Sequence, residues 1–224
     1  MSILGKDMNL KDYQREFLDF SIDRGVLRFG KFTLKSGRVS PYMFNTGWFN
    51  TGASLAKLGR YYAQAIVDSG IEFDVLYGPA YKGIPLAAAT SIALADLYSI
   101  DIPYAFNRKE IKDHGEGGII VGSELKGKVL VIDDVISSGD AIRGSVDIIQ
   151  QAGAAMGGVV VALDRQERGS NATSATQEVE SNYGVKVVSI VNLELMLNYL
   201  HEKPEYNEDL QEIPVYQQQY GATG

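Results

Sequence analysis

The chain has 224 residues, 45% of them hydrophobic, which is enough for one well-buried α/β core with accessory structure, and no linker of biased composition divides it. Its formal net charge of −7 argues against general attraction to nucleic acid, and the absence of cysteine excludes disulfides and thiolate metal sites. No stretch is apolar for long enough to span a bilayer, and the opening MSILGKDMNLKDYQ lacks the basic-then-apolar order of a secretion signal, so a reducing cytoplasm is the expected compartment and no membrane partner is expected.

Leu10, Tyr13, Phe17, Leu18 and Phe20 recur at near-helical spacing up to Asp23-Arg24-Gly25, which predicts an amphipathic helix closed by a glycine cap and packed outside a sheet. Phe32-Thr33-Leu34 and Tyr42-Met43-Phe44 predict two short strands around the turn Lys35-Ser36-Gly37-Arg38, with Pro41 confining the second to an edge. Leu55, Leu58, Tyr62, Ala65 and Ile66 mark another helix, ended by Gly70. The pattern then alternates: strand 73–77, helix 84–97, strand 102–106, strand 129–132, helix 141–152, strand 158–163. Such alternation with short turns predicts an α/β fold, a mainly parallel sheet flanked by helices. Residues 185–191 add a further strand before a helix over 193–200, and the polar segment 203–224 reads as a surface wrap or partly disordered tail. The whole is read as a single domain: a small N-terminal hood over about 1–50, a core over about 51–200 and a C-terminal tail over 201–224.

The most informative stretch is 129–145, VLVIDDVISSGDAIRGS. Val129 to Ile132 is continuously apolar and β-branched, as in a strand covered on both faces. Asp133 and Asp134 follow at its carboxyl end, where open α/β sheets bind ligands. Ser137, Ser138 and Gly139 let the backbone curl, and the helix after them offers unpaired N–H groups and a positive dipole end to an anion. Two carboxylates beside a phosphate cradle repel each other unless they meet ribose hydroxyls or a divalent cation. The competing reading is an ordinary strand-to-helix turn.

Tyr77-Gly78-Pro79-Ala80-Tyr81-Lys82-Gly83 leaves the first core strand in a turn whose glycines permit close backbone approach, with Lys82 as a cation at the ligand-binding end; pyrophosphate suits it, and a plain connection is the alternative. Residues 108–118, RKEIKDHGEGG, follow a strand with almost no apolar anchor and end in glycines, which reads either as a solvated charged loop or as a mobile lid. The phosphate motif favours the lid, because a pyrophosphate leaving group needs cations that exclude water. Arg165, in Leu163-Asp164-Arg165-Gln166-Glu167-Arg168-Gly169, reads either as a surface arginine paired with Glu167 or as a fork for a carboxylate; Arg168 keeps the surface reading. His114 and His201 stand far apart, so no zinc site is readable.

From about Tyr13 to Asn198 these motifs, in this order, resemble the type I phosphoribosyltransferase family, and within it the orotate-using branch. The resemblance implies transfer of phosphoribosyl from phosphoribosyl diphosphate (PRPP) to orotate in de novo pyrimidine (UMP) biosynthesis. It assigns PRPP contact to Asp133, Asp134, Val135, Ile136, Ser137, Ser138, Gly139, Asp140 and Ala141, the acidic pair meeting ribose hydroxyls and the turn the 5-phosphate. It adds Lys35 from the hood and Tyr81 and Lys82 from the pyrophosphate loop, with a non-proline cis peptide at Ala80-Tyr81. Lys109 is expected in the subunit's own site and Arg108, Lys112 and His114 in the neighbour's, as catalytic groups of a homodimer. Met43, Phe44, Ser137 and Arg165 are expected at orotate, and Mg²⁺ is expected to be held mainly through PRPP with no dedicated protein cage. One departure stands out: the turn reads Ser-Ser-Gly-Asp-Ala where the family usually has Thr-Ala-Gly-Thr-Ala, so Asp140 is expected to turn outward or cap its helix.

Two alternatives remain. A phosphoribosyltransferase for a purine or uracil fits the core but leaves Arg165 and the hood unexplained. A PRPP-sensing regulator fits the PRPP motif but not the acidic charge or the charged lid.

Overall fold

The computed structural model describes residues 10–34, 37–112, 118–136, 140–169, 172–207 and 209–222. Lys35, Ser36, residues 113–117 with His114, and Ser137, Ser138 and Gly139 lie outside the described residues.

Helix α1 (Asp12–Asp23) forms as its spacing predicts, and Gly25 takes the left-handed turn after it, at φ 64°. The hood hairpin pairs β1 (Leu27–Thr33) antiparallel with β2 (Val39–Phe44), both longer than predicted. Pro41 is accommodated because a two-stranded sheet leaves each strand an open edge. Helix α2 (Gly52–Ser69) starts at a Thr51–Ser54 capping box and stops at Gly70.

The main sheet has six strands in the order β5-β4-β3-β6-β7-β8. These are β3 (Val75–Gly78), β4 (Tyr104–Lys112), β5 (Gly118–Gly122), β6 (Lys128–Val135), β7 (Ala155–Asp164) and β8 (Lys186–Asn192). All neighbours are parallel except β4 and β5. Helices α3 (Gly83–Tyr98), α4 (Asp140–Gln151) and α5 (Ala175–Tyr183) make the crossovers, and α6 (Leu193–His201) follows β8. From β3 the chain runs outward through α3 to β4, whereas from β6 it runs the other way through α4 to β7. The strand order therefore reverses between β3 and β6, and a crevice opens beyond their carboxyl ends.

Strand alternation feeds two cores. Leu76, Leu130, Ile132, Val160 and Ala162 face one way with α1, α2, α3 and α6, while Tyr77, Val129, Val131, Val159 and Val161 face the other with α4 and α5. Val129 through Ile132 are all at 0% exposure, which explains the unbroken apolar run, and each such burial contributes roughly 1.5–3 kcal/mol of transfer free energy before chain entropy is subtracted.

Three expectations change. In the segment 203–224, expected as a surface wrap or partly disordered tail, the described residues include helix α7 (Asp209–Tyr220), which buries Leu210, Ile213 and Tyr216, and Gly221 pairs with Glu167. Pro214 inside that helix and the run Gln217-Gln218-Gln219 hide its apolar spacing. The segment from Arg108 to Lys112 is the end of β4 rather than loop, and Gly118 opens β5, which periodicity did not reveal. Between the pairs Asn107↔Ile120 and Lys112↔Gly118 the register breaks, so the charged residues bulge from the sheet edge. Helix α5 went unread because its face carries only Ala175, Thr176 and Val179 to the core.

Candidate active site

Asp133 and Asp134 end β6, and Lys82 sits at the start of α3 just after β3, so the reversal of strand order brings them to one crevice. Lys82 Nζ donates to Asp134 Oδ2 at 2.5 Å and to Asn45 Oδ1 at 3.3 Å, and Thr46 Oγ1 donates to the same Asp134 oxygen at 3.4 Å. Asp134 is buried and Lys82 half exposed, so the ammonium faces solvent while its partner does not. The hood thereby closes one side of the crevice.

Asp133 is set by its backbone. The buried Tyr62 hydroxyl donates to the Asp133 carbonyl at 2.9 Å, and the Asp134 N–H donates to Asp133 Oδ1 at 2.8 Å. Burial, followed by the charge of Asp134, raises Asp133 above the usual carboxylate range against the opposing pull of that N–H and of Lys82. Burial also pushes Tyr62 well up, with Asp134 and Asp133 adding to it, so its hydroxyl stays a donor. Val135 and the buried Ile136 carry the strand on, and Ala141, exposed, lies in the first turn of α4, which begins at Asp140.

The loop after β3 folds back on itself so closely that a Cβ on Gly78 would lie 2.1 Å from the Gly83 carbonyl oxygen. The Ala80-Tyr81 peptide is cis, as the family resemblance implied. Asn107, which sequence reasoning missed, ties this loop to β4. Its Oδ1 accepts from Tyr77 Oη and from the Ala80 N–H, both at 2.9 Å, and its Nδ2 donates to the Arg108 carbonyl at 3.1 Å. Lys109 Nζ lies 4.7 Å from the centre of the exposed Tyr81 ring, so a cation of the β4 extension already stands over the loop. Arg108 is half-buried and directs Nη1 at the Gly118 carbonyl at 3.5 Å; Lys112 is the last residue of β4.

Arg165 follows β7 and is 8% exposed, so the surface reading is set aside, although the pairing with Glu167 is real. Its Nε donates to Glu167 Oε1 at 2.7 Å, its Nη2 to Ser40 Oγ at 2.9 Å, and its guanidinium lies 4.1 Å from the Tyr42 ring centre. Strand β2 thus runs from Arg165, at Ser40, toward the Lys82–Asp134 pair, at Asn45 and Thr46, with half-buried Met43 and Phe44 between. The Phe44 ring rests 6.1 Å from that of Phe17. Among the described residues no group of three or more His, Cys, Asp or Glu side chains could hold a metal, and no helix is long and apolar enough to cross a membrane.

A sheet whose strand order reverses at an acidic pair, with a basic turn facing it and a small hood above, defines a ligand crevice of the open α/β class. Residues 49–191 match the family model described as a phosphoribosyl transferase domain. The chain is 58% identical over 213 residues to the orotate phosphoribosyltransferases of Shigella flexneri and of Escherichia coli strain K12 / DH10B, a match covering 95% of this chain and all of each relative. The crystal structure of the orotate phosphoribosyltransferase of Francisella tularensis superposes with a TM-score of 0.84 at 44% identity, covering 92% of this chain and all of that one. The chain belongs to the phosphoribosyltransferase family and, within it, to the orotate phosphoribosyltransferases.

Proposed function

We propose that this chain transfers the phosphoribosyl group of PRPP to orotate, giving orotidine 5-monophosphate and pyrophosphate in de novo UMP synthesis. The observation that carries the reading is the meeting of Lys82 and Asp134 at the reversal of strand order, with buried Arg165 held at the far end of the same hood strand. A buried arginine suits a carboxylated pyrimidine better than uracil or a purine.

In this reading Asp133 and Asp134 accept from the ribose hydroxyls, the 137–141 turn takes the 5-phosphate, and Tyr81, Lys82 and Lys35 meet the pyrophosphate. Positive charge develops on the ribose as the bond to pyrophosphate lengthens and the orotate nitrogen closes on the anomeric carbon. No covalent nucleophile is needed, because positioning and leaving-group stabilisation carry the step. Lys109 supplies a cation from the subunit's own site, and Arg108, Lys112 and His114 supply theirs to the neighbouring subunit of a homodimer. Mg²⁺, held mainly through PRPP with no dedicated protein cage, would neutralise charge on the pyrophosphate oxygens. The cytoplasm is the proposed compartment.

Incubation of the purified chain with PRPP, Mg²⁺ and one base at a time tests the reading. Orotate absorbance should fall with release of pyrophosphate, and uracil, hypoxanthine and adenine should remain unchanged. Turnover of another base in preference to orotate would overturn it.

A further inference from the structure

Glu167 is shared between two arginines. Its Oε1 accepts from Arg165 and its Oε2 from Arg38 Nη1 at 3.2 Å, and its side chain is only 15% exposed. Arg38 comes from the hood, just before β2, and its guanidinium lies 5.0 Å from the centre of the Tyr220 ring at the end of α7. The carboxyl-terminal helix is fastened to the same loop: the Arg168 N–H donates to the Tyr220 carbonyl at 2.8 Å and the Ala222 N–H to the Gln166 carbonyl at 3.1 Å. Tyr216, buried on α7, lies beside both Arg165 and Glu167. Asp164, the other acid of the loop, is turned to the Gln166 N–H at 2.9 Å.

An arginine paired one-to-one with a carboxylate offers a substrate anion no net charge. Here two guanidinium groups share one carboxylate, so Glu167 is divided between Arg38 and Arg165 and compensates neither fully, in a largely buried place where charge is little screened. We propose that Arg38, held by Tyr220 of the carboxyl-terminal helix, is a positioning and specificity-determining residue: by drawing Glu167 Oε2 to itself it leaves Arg165 only partly compensated and holds it in place for the carboxylate of the incoming pyrimidine. This rests on the proposed transfer to orotate and gives the hood turn and α7 a role in it. Arg38 acts through Glu167 and Arg165, so its loss should weaken orotate binding and spare the PRPP side.

The experiment is steady-state kinetics of full-length Arg38→Met, Arg38→Lys and Tyr220→Leu with each substrate varied in turn. Arg38→Met should raise the KM for orotate about tenfold, the scale of one charge-assisted contact, with kcat and the KM for PRPP within about twofold of the parent. Arg38→Lys keeps the charge and should restore most of the loss, whereas Tyr220→Leu should raise the orotate KM by about threefold only. An unchanged orotate KM in Arg38→Met, or equal increases for both substrates, overturns the inference. Should Arg38→Met not fold, the other two variants decide: equal orotate and PRPP effects in them, or none, overturn it as well. If the parent chain does not turn over orotate at all, the functional reading fails and takes this inference with it. An active parent with insensitive variants sinks the inference alone.

Discussion

Lys82 and Asp134, 52 residues apart in sequence, meet at 2.5 Å across the ends of two neighbouring parallel strands. The ion pair joins the basic loop after β3 to the acidic end of β6, so the two halves of the crevice are registered before a substrate arrives. With Lys82 about half exposed, the pair contributes little to stability, on the order of 1 kcal/mol or less. Its value is positional. Asp134→Asn should raise the KM for PRPP by about 10–100-fold while moving the melting temperature only slightly, because a ribose hydroxyl loses a charged acceptor. Isothermal titration with Mg²⁺-PRPP beside a thermal melt checks this, and a large fall in stability with normal PRPP affinity would count against it.

Asp133 gives a pH dependence whose sign follows from its raised value. In the folded, ligand-free protein it keeps its proton to a higher pH than in the unfolded chain, so its contribution to stability is present at low pH and is lost as pH rises through the folded value. Ribose hydroxyls that donate to the carboxylate favour its ionised form, so PRPP binding should release a proton wherever Asp133 is still partly protonated. PRPP affinity should therefore increase with pH up to the raised value and then level off. Calorimetry in buffers of different ionisation enthalpy should show release at about pH 6 that fades by about pH 8.5. Asp133→Asn, compared under the same conditions, removes the protein's share from that of the substrate phosphates.

Among the basic residues of the β4 extension, Lys112 is expected to have the largest effect on turnover. A cation placed at the departing pyrophosphate acts chiefly in the transition state, so Lys112→Ala should lower kcat by about 10²–10³-fold with little change in substrate KM. Nearly full turnover would remove the lysine from the mechanism. Sharing between subunits is read by mixing inactive Lys112→Ala protein with an inactive double variant, Asp133→Asn with Asp134→Asn. Recovered activity supports a homodimer with exchanged catalytic groups, and inactivity in verified mixed dimers opposes it.

Asp140, the one departure that the resemblance singled out, is the first residue of α4. An ionised carboxylate aimed at a bound phosphate would repel it, whereas at a helix start the same group interacts favourably with the dipole. Asp140→Thr should leave PRPP affinity unchanged or improve it. A tenfold loss in a PRPP titration would mean that the acid takes part in binding.

The parts of the fold carried by strong periodicity were legible in the sequence. Val129 to Ile132 announced a doubly covered strand, and its two acids marked the ligand end without any coordinates. Helix α7 was hidden because Pro214 and three consecutive glutamines mask Leu210, Ile213 and Tyr216 on one face. Asn107 and Arg38 were passed over for a different reason: their roles lie in partners far away in sequence, the Ala80 N–H for one and Glu167 for the other. Local pattern reports the period of an element and the chemistry at its end. It does not report which two ends the topology brings together.

The turn after β3 offers a test of backbone geometry free of charge effects. At Gly78 an added Cβ would lie 2.1 Å from the Gly83 carbonyl oxygen and 2.5 Å from its carbon, and both are backbone atoms that cannot swing aside. The turn must open, carrying Lys82 away from Asp134. Gly78→Ala should therefore cost about 1–3 kcal/mol of stability through overpacking and raise the PRPP KM at least about tenfold. Gly144 is the control: it lies within α4, and a Cβ there meets nothing within 4 Å. Gly144→Ala should stabilise the protein by about 0.5–1 kcal/mol through helix propensity and lower unfolded-state entropy, with kinetics unchanged. Denaturant melts and PRPP titrations on both variants separate the two effects. A Gly78→Ala protein as stable and as tight for PRPP as the parent would show that the loop need not be this closely folded to work.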